Sequence, residues 1–169
     1  MTPPLIREEG ILEDVATQVA LFSIHPEFVE QMRAGRKRYE FRRVGPRRLD
    51  LQLSLIYATA PVQAIVARFA TAGIYRDTPH QIWHRCGEYA GIERDRFFSY
   101  FAGATSAVAI EIAAFFPIEP AIDPYEHDPC FRPPQSFLYL DYSSPLVAPV
   151  LERGTGGPLG LDHWLHAAT

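Results

Sequence analysis

The sequence predicts one α+β domain built on a small barrel or strongly curved sheet, with helices inserted between its strands. Three observations lead there. Residues 19 to 42 pass from strand to proline-started helix to strand in about twenty-five positions. Five or six short runs rich in β-branched and aromatic residues recur along the chain. Two helix-start signals fall between them, at Pro26 and at Thr78-Pro79. At 169 residues and 47% hydrophobic, the chain is long and apolar enough for one sizeable core.

Val19 to Ile24 reads as a buried strand. Pro26 suits the first turn of a helix, where its missing N–H costs nothing, and Phe28, Val29 and Met32 form its apolar stripe. Gly35 supplies the stop. A strand follows in which Tyr39 and Phe41 alternate with Arg38, Glu40 and Arg42. Leu53 to Ala58 and Val62 to Ala70 are two further strands, separated by Thr59-Ala60-Pro61. Thr78 opens a helix that runs to about Cys86 and stops at Gly87, and a second helix covers about 93 to 101. Ser106 to Phe116 is the longest expected strand, and Phe137 to Leu140 a short last one. The proline-rich residues 117 to 136 are expected as an ordered loop.

The expected organisation is an N-terminal extension over 1–17, the domain over 18–141 and a Pro/Gly-rich tail over 142–169. The extension carries Glu8, Glu9, Glu13 and Asp14 against Arg7 alone. The tail ends in Leu161, Trp164, Leu165 and Ala168 at helical spacing, a stripe suited to docking on the domain or on a second copy as a homodimer. No apolar run approaches the ~20 residues that span a bilayer, and the N-terminus lacks a secretory pattern. Two cysteines make no disulfide framework, so a reducing cytoplasm is the expected compartment.

The net charge of −4 excludes a protein that coats nucleic acid by bulk attraction, but the charge is unevenly distributed. Residues 33 to 48 hold eight of the sixteen cations, with Glu40 as their one acid, a local +7 that leaves −11 for the remainder. Lys37, within this stretch, is the chain's one lysine; the other fifteen cations are arginine. A compact ammonium whose pKa moves on burial is not interchangeable with guanidinium. On a regular strand, Arg38, Glu40 and Arg42 share one face and Tyr39 and Phe41 the other. The aromatics suit the barrel core, which would turn the charged trio toward a cleft. Arginine neighbours would keep Glu40 a carboxylate, better suited to orienting Arg42 or Lys37 than to donating a proton. Lys37 has three readings: a point charge for a phosphate, a base or nucleophile activator, or a cation capping the preceding helix.

Gly35, Lys37, Glu40 and Arg42 spell G-x-K-x-x-E-x-R, which resembles the motif of ASCH domains in the PUA-like superfamily. Ser23 to Glu27, Ile56 to Val62 and Phe131 to Phe137 resemble a bacterial ASCH subgroup labelled predicted transcriptional regulators. The likeness spans about 18 to 141. It implies a PUA-like small β-barrel of five to six mostly antiparallel strands with inserted helices, and a cleft that accepts RNA, a nucleotide or a modified base. Amide-hydrolysing members are thought to use the motif lysine, a threonine three residues later and a downstream glutamate. Here Glu40 stands at the threonine position, and Glu88 matches the downstream acid only loosely.

Two functions follow as expectations. One is an RNA- or nucleotide-binding, regulatory module using Arg36, Lys37, Arg38, Arg42 and Arg43, with Ser23, His25, Tyr57, Thr59 and Arg132 near the cleft. The other is a small hydrolase of acylated nucleosides or RNA, with Lys37, Glu40 and Glu88 as its catalytic groups. Trp83, Phe97, Phe98 and Tyr100 suit base stacking, but aromatic stripes on short helices more often serve as core. No cofactor is expected. His84, Cys86, His127 and Cys130 lack metal-ligand spacing, so no metal is expected either.

Overall fold

In a computed structural model, residues 18–47 and 53–153 are described. Six strands, β1 (Gln18–Ile24), β2 (Tyr39–Arg42), β3 (Leu53–Ala58), β4 (Ala64–Asp77), β5 (Ala107–Ile122) and β6 (Phe137–Asp141), form one sheet in the order β2-β5-β4-β3-β1-β6. The β1–β3 pairing is parallel and the other four are antiparallel. The helices are α1 (Pro26–Arg33), α2 (Pro79–Cys86), α3 (Arg94–Tyr100), α4 (Pro124–His127) and α5 (Ala148–Arg153), with a 3₁₀ turn at Gly87–Tyr89.

The sheet is curled into a half-barrel. Register shifts along β4 and β5, between Ile65 and Ala67 and between Ala70 and Gly73, supply bends of the kind β-bulges produce. The curl brings the two ends of the strand order together. Arg42 on β2 donates to the Ser23 carbonyl on β1 at 2.8 Å and to Ser136 Oγ, just before β6, at 3.3 Å. One arginine therefore spans the seam of the barrel.

The two longest strands exceed the sequence-based expectation: β4 continues to Asp77 and β5 to Ile122. Their ladder runs from Ile65–Ile122 to Asp77–Ala107. Pro117 and Pro120 read as loop residues, but β2 pairs with β5 only from Val108 to Glu111. Beyond that point one edge of β5 has no β2 partner, and proline is tolerated on such an edge.

Three apolar clusters hold the domain. Leu21, Leu55, Tyr57, Ile65 and Phe131 pack with Val147 and Val150 near α5. Phe22, Ile56, Phe69 and Ile110 pack with Val29 and Met32 of α1. Phe41, Ile82, Phe97, Phe101 and Ala109 form the third, beneath α2 and α3. The face assignment of β2 is thus corrected. Phe41 packs under the inserted helices, while Glu40 and Arg42 pair in register with Ile110 and Val108 of the α1 cluster. The helices of the insert cover the aromatic face that the sheet alone would leave open.

The N-terminal extension, Arg48 and the Trp164 stripe lie outside the described residues, so the expected tail-mediated homodimer has no counterpart in this description. Among the described residues no helix is long and apolar enough to cross a membrane.

Candidate functional site

The site begins where α1 ends. Ala34 closes the helix, and Gly35 takes φ +72°, a conformation that glycine reaches without strain. The chain then turns, with the Arg36 and Lys37 amides both donating to the Gln31 carbonyl at 3.0 Å. Instead of entering β2 at once, it pairs with the inserted segment. Lys37 bridges Ala90, and the Arg38 amide donates to the Tyr89 carbonyl at 2.8 Å. Gly91, at φ +61°, packs so closely that a Cβ there would collide with Lys37 Cβ.

This clamp buries the lysine to 4% exposure. Its Nζ donates to the Ala90 carbonyl at 3.2 Å and lies 3.6 Å from Glu40 Oε2. It also sits 4.6 Å from the centroid of Phe41 and 5.3 Å from that of Phe28, between two rings. A cation held against aromatic faces away from water gains more from them than an exposed one. Burial nonetheless pushes the Lys37 ammonium below its ordinary 10.5, against the pull of Glu40 and helped by the charge of Arg42.

Glu40 completes a chain of charge. Its Oε1 forms an ion pair with Arg42 Nη2 at 3.0 Å, and Arg42 is held in turn by Ser23 and Ser136. Ser23 Oγ donates to the Pro134 carbonyl at 2.6 Å. Lys37, Glu40 and Arg42 line one cavity of about 220 Å³ with Ser23, His25, Phe28 and Arg96. An outer groove of about 540 Å³ adjoins it, sharing Phe28, Ile92 and Arg96 as common walls. Arg96 is tied to Glu27 by an ion pair that joins α3 to α1 across this boundary.

The remaining candidates fall in several places. Ser23 and His25 line the inner cavity, whereas Arg36 and Glu88 line the outer groove. Arg38 leaves the cavity altogether, its guanidinium 4.1 Å from the Tyr89 ring centroid. Arg43 donates to the Tyr100 and Ala102 carbonyls at 2.9 Å, fastening β2 to the end of α3. Tyr57 is buried in the first apolar cluster against Phe131. Thr59 lies in the turn after β3, its amide on the Ile24 carbonyl, and Arg132 donates to the Phe131 carbonyl; neither lines the cavity. Of the stacking candidates, Phe97 and Tyr100 line the cavity, while Trp83 and Phe98 pack among α2 and α3.

Phe28, Ile92 and Arg96 are wall residues that the sequence did not single out for a site. Phe28 was legible only as part of a helical stripe, and Arg96 carried no motif. Ser136 lay within a recognised segment, but its bond to Arg42 comes from barrel closure. Burial pushes the Cys86 thiol up to about 11, in keeping with a core residue. Among the described residues no group of three His, Cys, Asp or Glu side chains is placed to hold a metal.

No family model matches the chain. A curated protein of Zymomonas mobilis, an ASCH domain-containing ribonuclease, is 31% identical over 123 residues, covering 72% of this chain and 83% of its own. The crystal structure of ASCH from the same organism is similar at a TM-score of 0.70 and 30% identity, over 77% of this chain and 94% of that one. A tyrosine-to-phenylalanine mutant of that protein gives 0.71 and 29%, over 78% and 96%. The curled sheet and the relative agree: the chain belongs to the ASCH-domain family.

Proposed function

We propose that the protein binds RNA and cleaves its phosphodiester backbone, with one nucleotide seated in the inner cavity against Lys37. The observation that carries this reading is the buried Lys37–Glu40–Arg42 array. Three of the four buried charged residues among the described ones line this one cavity. Burying charge is costly unless it is paired, so such arrays gather where chemistry or ligand binding uses them. The ribonuclease relative supports RNA as the substrate.

The geometry supports the following roles. Lys37, its ammonium destabilised by burial, is the group able to give up its proton nearer neutral pH. In neutral form it takes the proton of a ribose 2′-hydroxyl as that oxygen attacks the adjacent phosphorus. The bond to the 5′-oxygen of the next nucleotide breaks, and that oxygen takes a proton from His25, which is exposed and lines the same cavity. Glu40 holds Lys37 in place, and Arg42 holds Glu40. The products are a 2′,3′-cyclic phosphate and a 5′-hydroxyl end.

The test uses labelled single-stranded RNA with the wild type and with Lys37→Met. Cleavage to cyclic-phosphate ends that disappears in the variant is the expected result. A second reading rests on the Glu40–Arg42 pair, in which each charge already has its partner: the cavity binds RNA, as a regulatory module would, without turning it over. Lys37-dependent binding with no cleavage of any RNA favours that reading. A wild type that neither binds nor cleaves RNA contradicts both. An acylated-nucleoside hydrolase has weaker support, since Glu88 lines the outer groove and Lys37 the inner cavity.

A further inference from the structure

We propose that the outer groove is a second nucleotide subsite, which takes the base adjacent along the strand to the nucleotide in the inner cavity. This rests on the RNA reading above and extends it to the length and form of the substrate.

The groove has the space: about 540 Å³ against about 220 Å³ within. It also has a flat aromatic wall. The Tyr89 ring is backed by the Arg38 guanidinium at 4.1 Å, a cation–π pair that stiffens it as a platform. That platform is fixed to the motif, because the Arg38 amide bonds the Tyr89 carbonyl and Lys37 bridges Ala90. Any shift of the platform is therefore coupled to the residue that lines the inner cavity.

Charge decides which part of a nucleotide enters. Glu88 and Glu93 line the groove, and neither has an ion-pair partner among the described residues. Two free carboxylates repel a phosphate but accept N–H groups from a base edge. The cations stand differently. Arg36 is exposed, with its Nε on Gln31 Oε1 at 2.7 Å, and Arg96 belongs to the wall that the two cavities share. This arrangement seats a base against Tyr89 and leaves the linking phosphate to Arg36, because Arg96 is already paired with Glu27, a third carboxylate of the groove. Unpaired bases are recognised by this kind of stacking, whereas a duplex keeps its bases out of reach.

The substrate class is therefore single-stranded RNA of at least two nucleotides. The test measures binding of a nucleoside monophosphate, a single-stranded tetranucleotide and a short duplex to wild type, Tyr89→Ala and Arg38→Ala. We expect Tyr89→Ala to weaken tetranucleotide binding about tenfold or more while leaving the monophosphate unchanged. Arg38→Ala alters an exposed side chain, so it keeps the test intact if Tyr89→Ala fails to fold; it should weaken the tetranucleotide selectively, and the duplex should bind wild type poorly. Equal tetranucleotide affinity in wild type and Arg38→Ala, with no loss in a folded Tyr89→Ala, overturns the subsite alone. Equal losses for monophosphate and tetranucleotide also overturn it. Wild type that binds no RNA overturns the subsite together with the reading on which it rests.

Discussion

Lys37 Nζ lies 3.6 Å from Glu40 Oε2, and both side chains are buried against the same cavity. The pair joins two parts of the fold. Glu40 belongs to a barrel strand and is held by Arg42 across the seam, whereas Lys37 is clamped by the inserted turn at Tyr89–Gly91. The seam of the barrel and the insert thus meet at one ion pair.

Glu40→Gln keeps the shape of the side chain and removes its charge. Lys37 and Arg42 then remain buried without their carboxylate. Breaking a buried pair from one side costs about 3–5 kcal/mol. Urea denaturation of the variant should show a loss in that range, and a loss under about 1 kcal/mol would show the array to be weakly coupled.

Gly91→Ala forces a side chain into a left-handed backbone conformation and against Lys37. The conformational strain alone costs about 1–3 kcal/mol. Gly103, at φ +76° with open space around its Cβ position, is the control. Both alanine variants should lower the melting temperature, but only Gly91→Ala should also reduce RNA binding or cleavage. Equal effects on function would mean that the clamp does not position Lys37.

The stability of the fold should depend on pH through Lys37. Its folded value lies below the ordinary 10.5, so between the two the unfolded chain holds more protons than the folded one. Stability then rises with pH across that window, and the cost of the buried ammonium is largest below it. Cys86 acts in the opposite sense above its ordinary 9.0, because its folded value is raised. Lys37→Met retains Cys86, so comparison with it cancels that contribution. Thermal melts from pH 7 up to the ordinary lysine value of 10.5 should show wild type gaining on Lys37→Met as pH rises. A constant difference would contradict the lowered value.

Much of the core of this site was legible locally. Gly35 at the helix end, and the charged and aromatic alternation from Arg38 to Arg42, reflect turn chemistry and the two-residue period of a strand. The identity of the two faces was not legible, because α2 and α3 fold back over Phe41 and reverse which side is covered. Arg96 and Ser136 were hidden for the same kind of reason. They lie 59 and 99 residues from Lys37 in sequence, and only the insert and the closing seam bring them near. The end of β5 was obscured by Pro117 and Pro120, which read as loop residues but sit within a bulged ladder.

RNA binding should weaken with salt, since phosphate contacts release counterions. For a single strand the logarithmic slope falls by about 0.7 per contact. Arg36→Ala should therefore make the slope shallower by about 0.7 while leaving the melting temperature close to wild type. An unchanged slope would remove Arg36 from the path of the strand.

The most direct measurement is the pH–rate profile of RNA cleavage for wild type and Lys37→Arg, with folding of the variant checked by circular dichroism. Guanidinium keeps the positive charge but does not lose its proton in this range. The wild-type rate should rise with pH through the lowered Lys37 value, while folded Lys37→Arg still binds RNA and cleaves it at least about a hundredfold more slowly. Wild-type cleavage by folded Lys37→Arg, with the same pH profile, would contradict the assignment of Lys37 as the proton-accepting group.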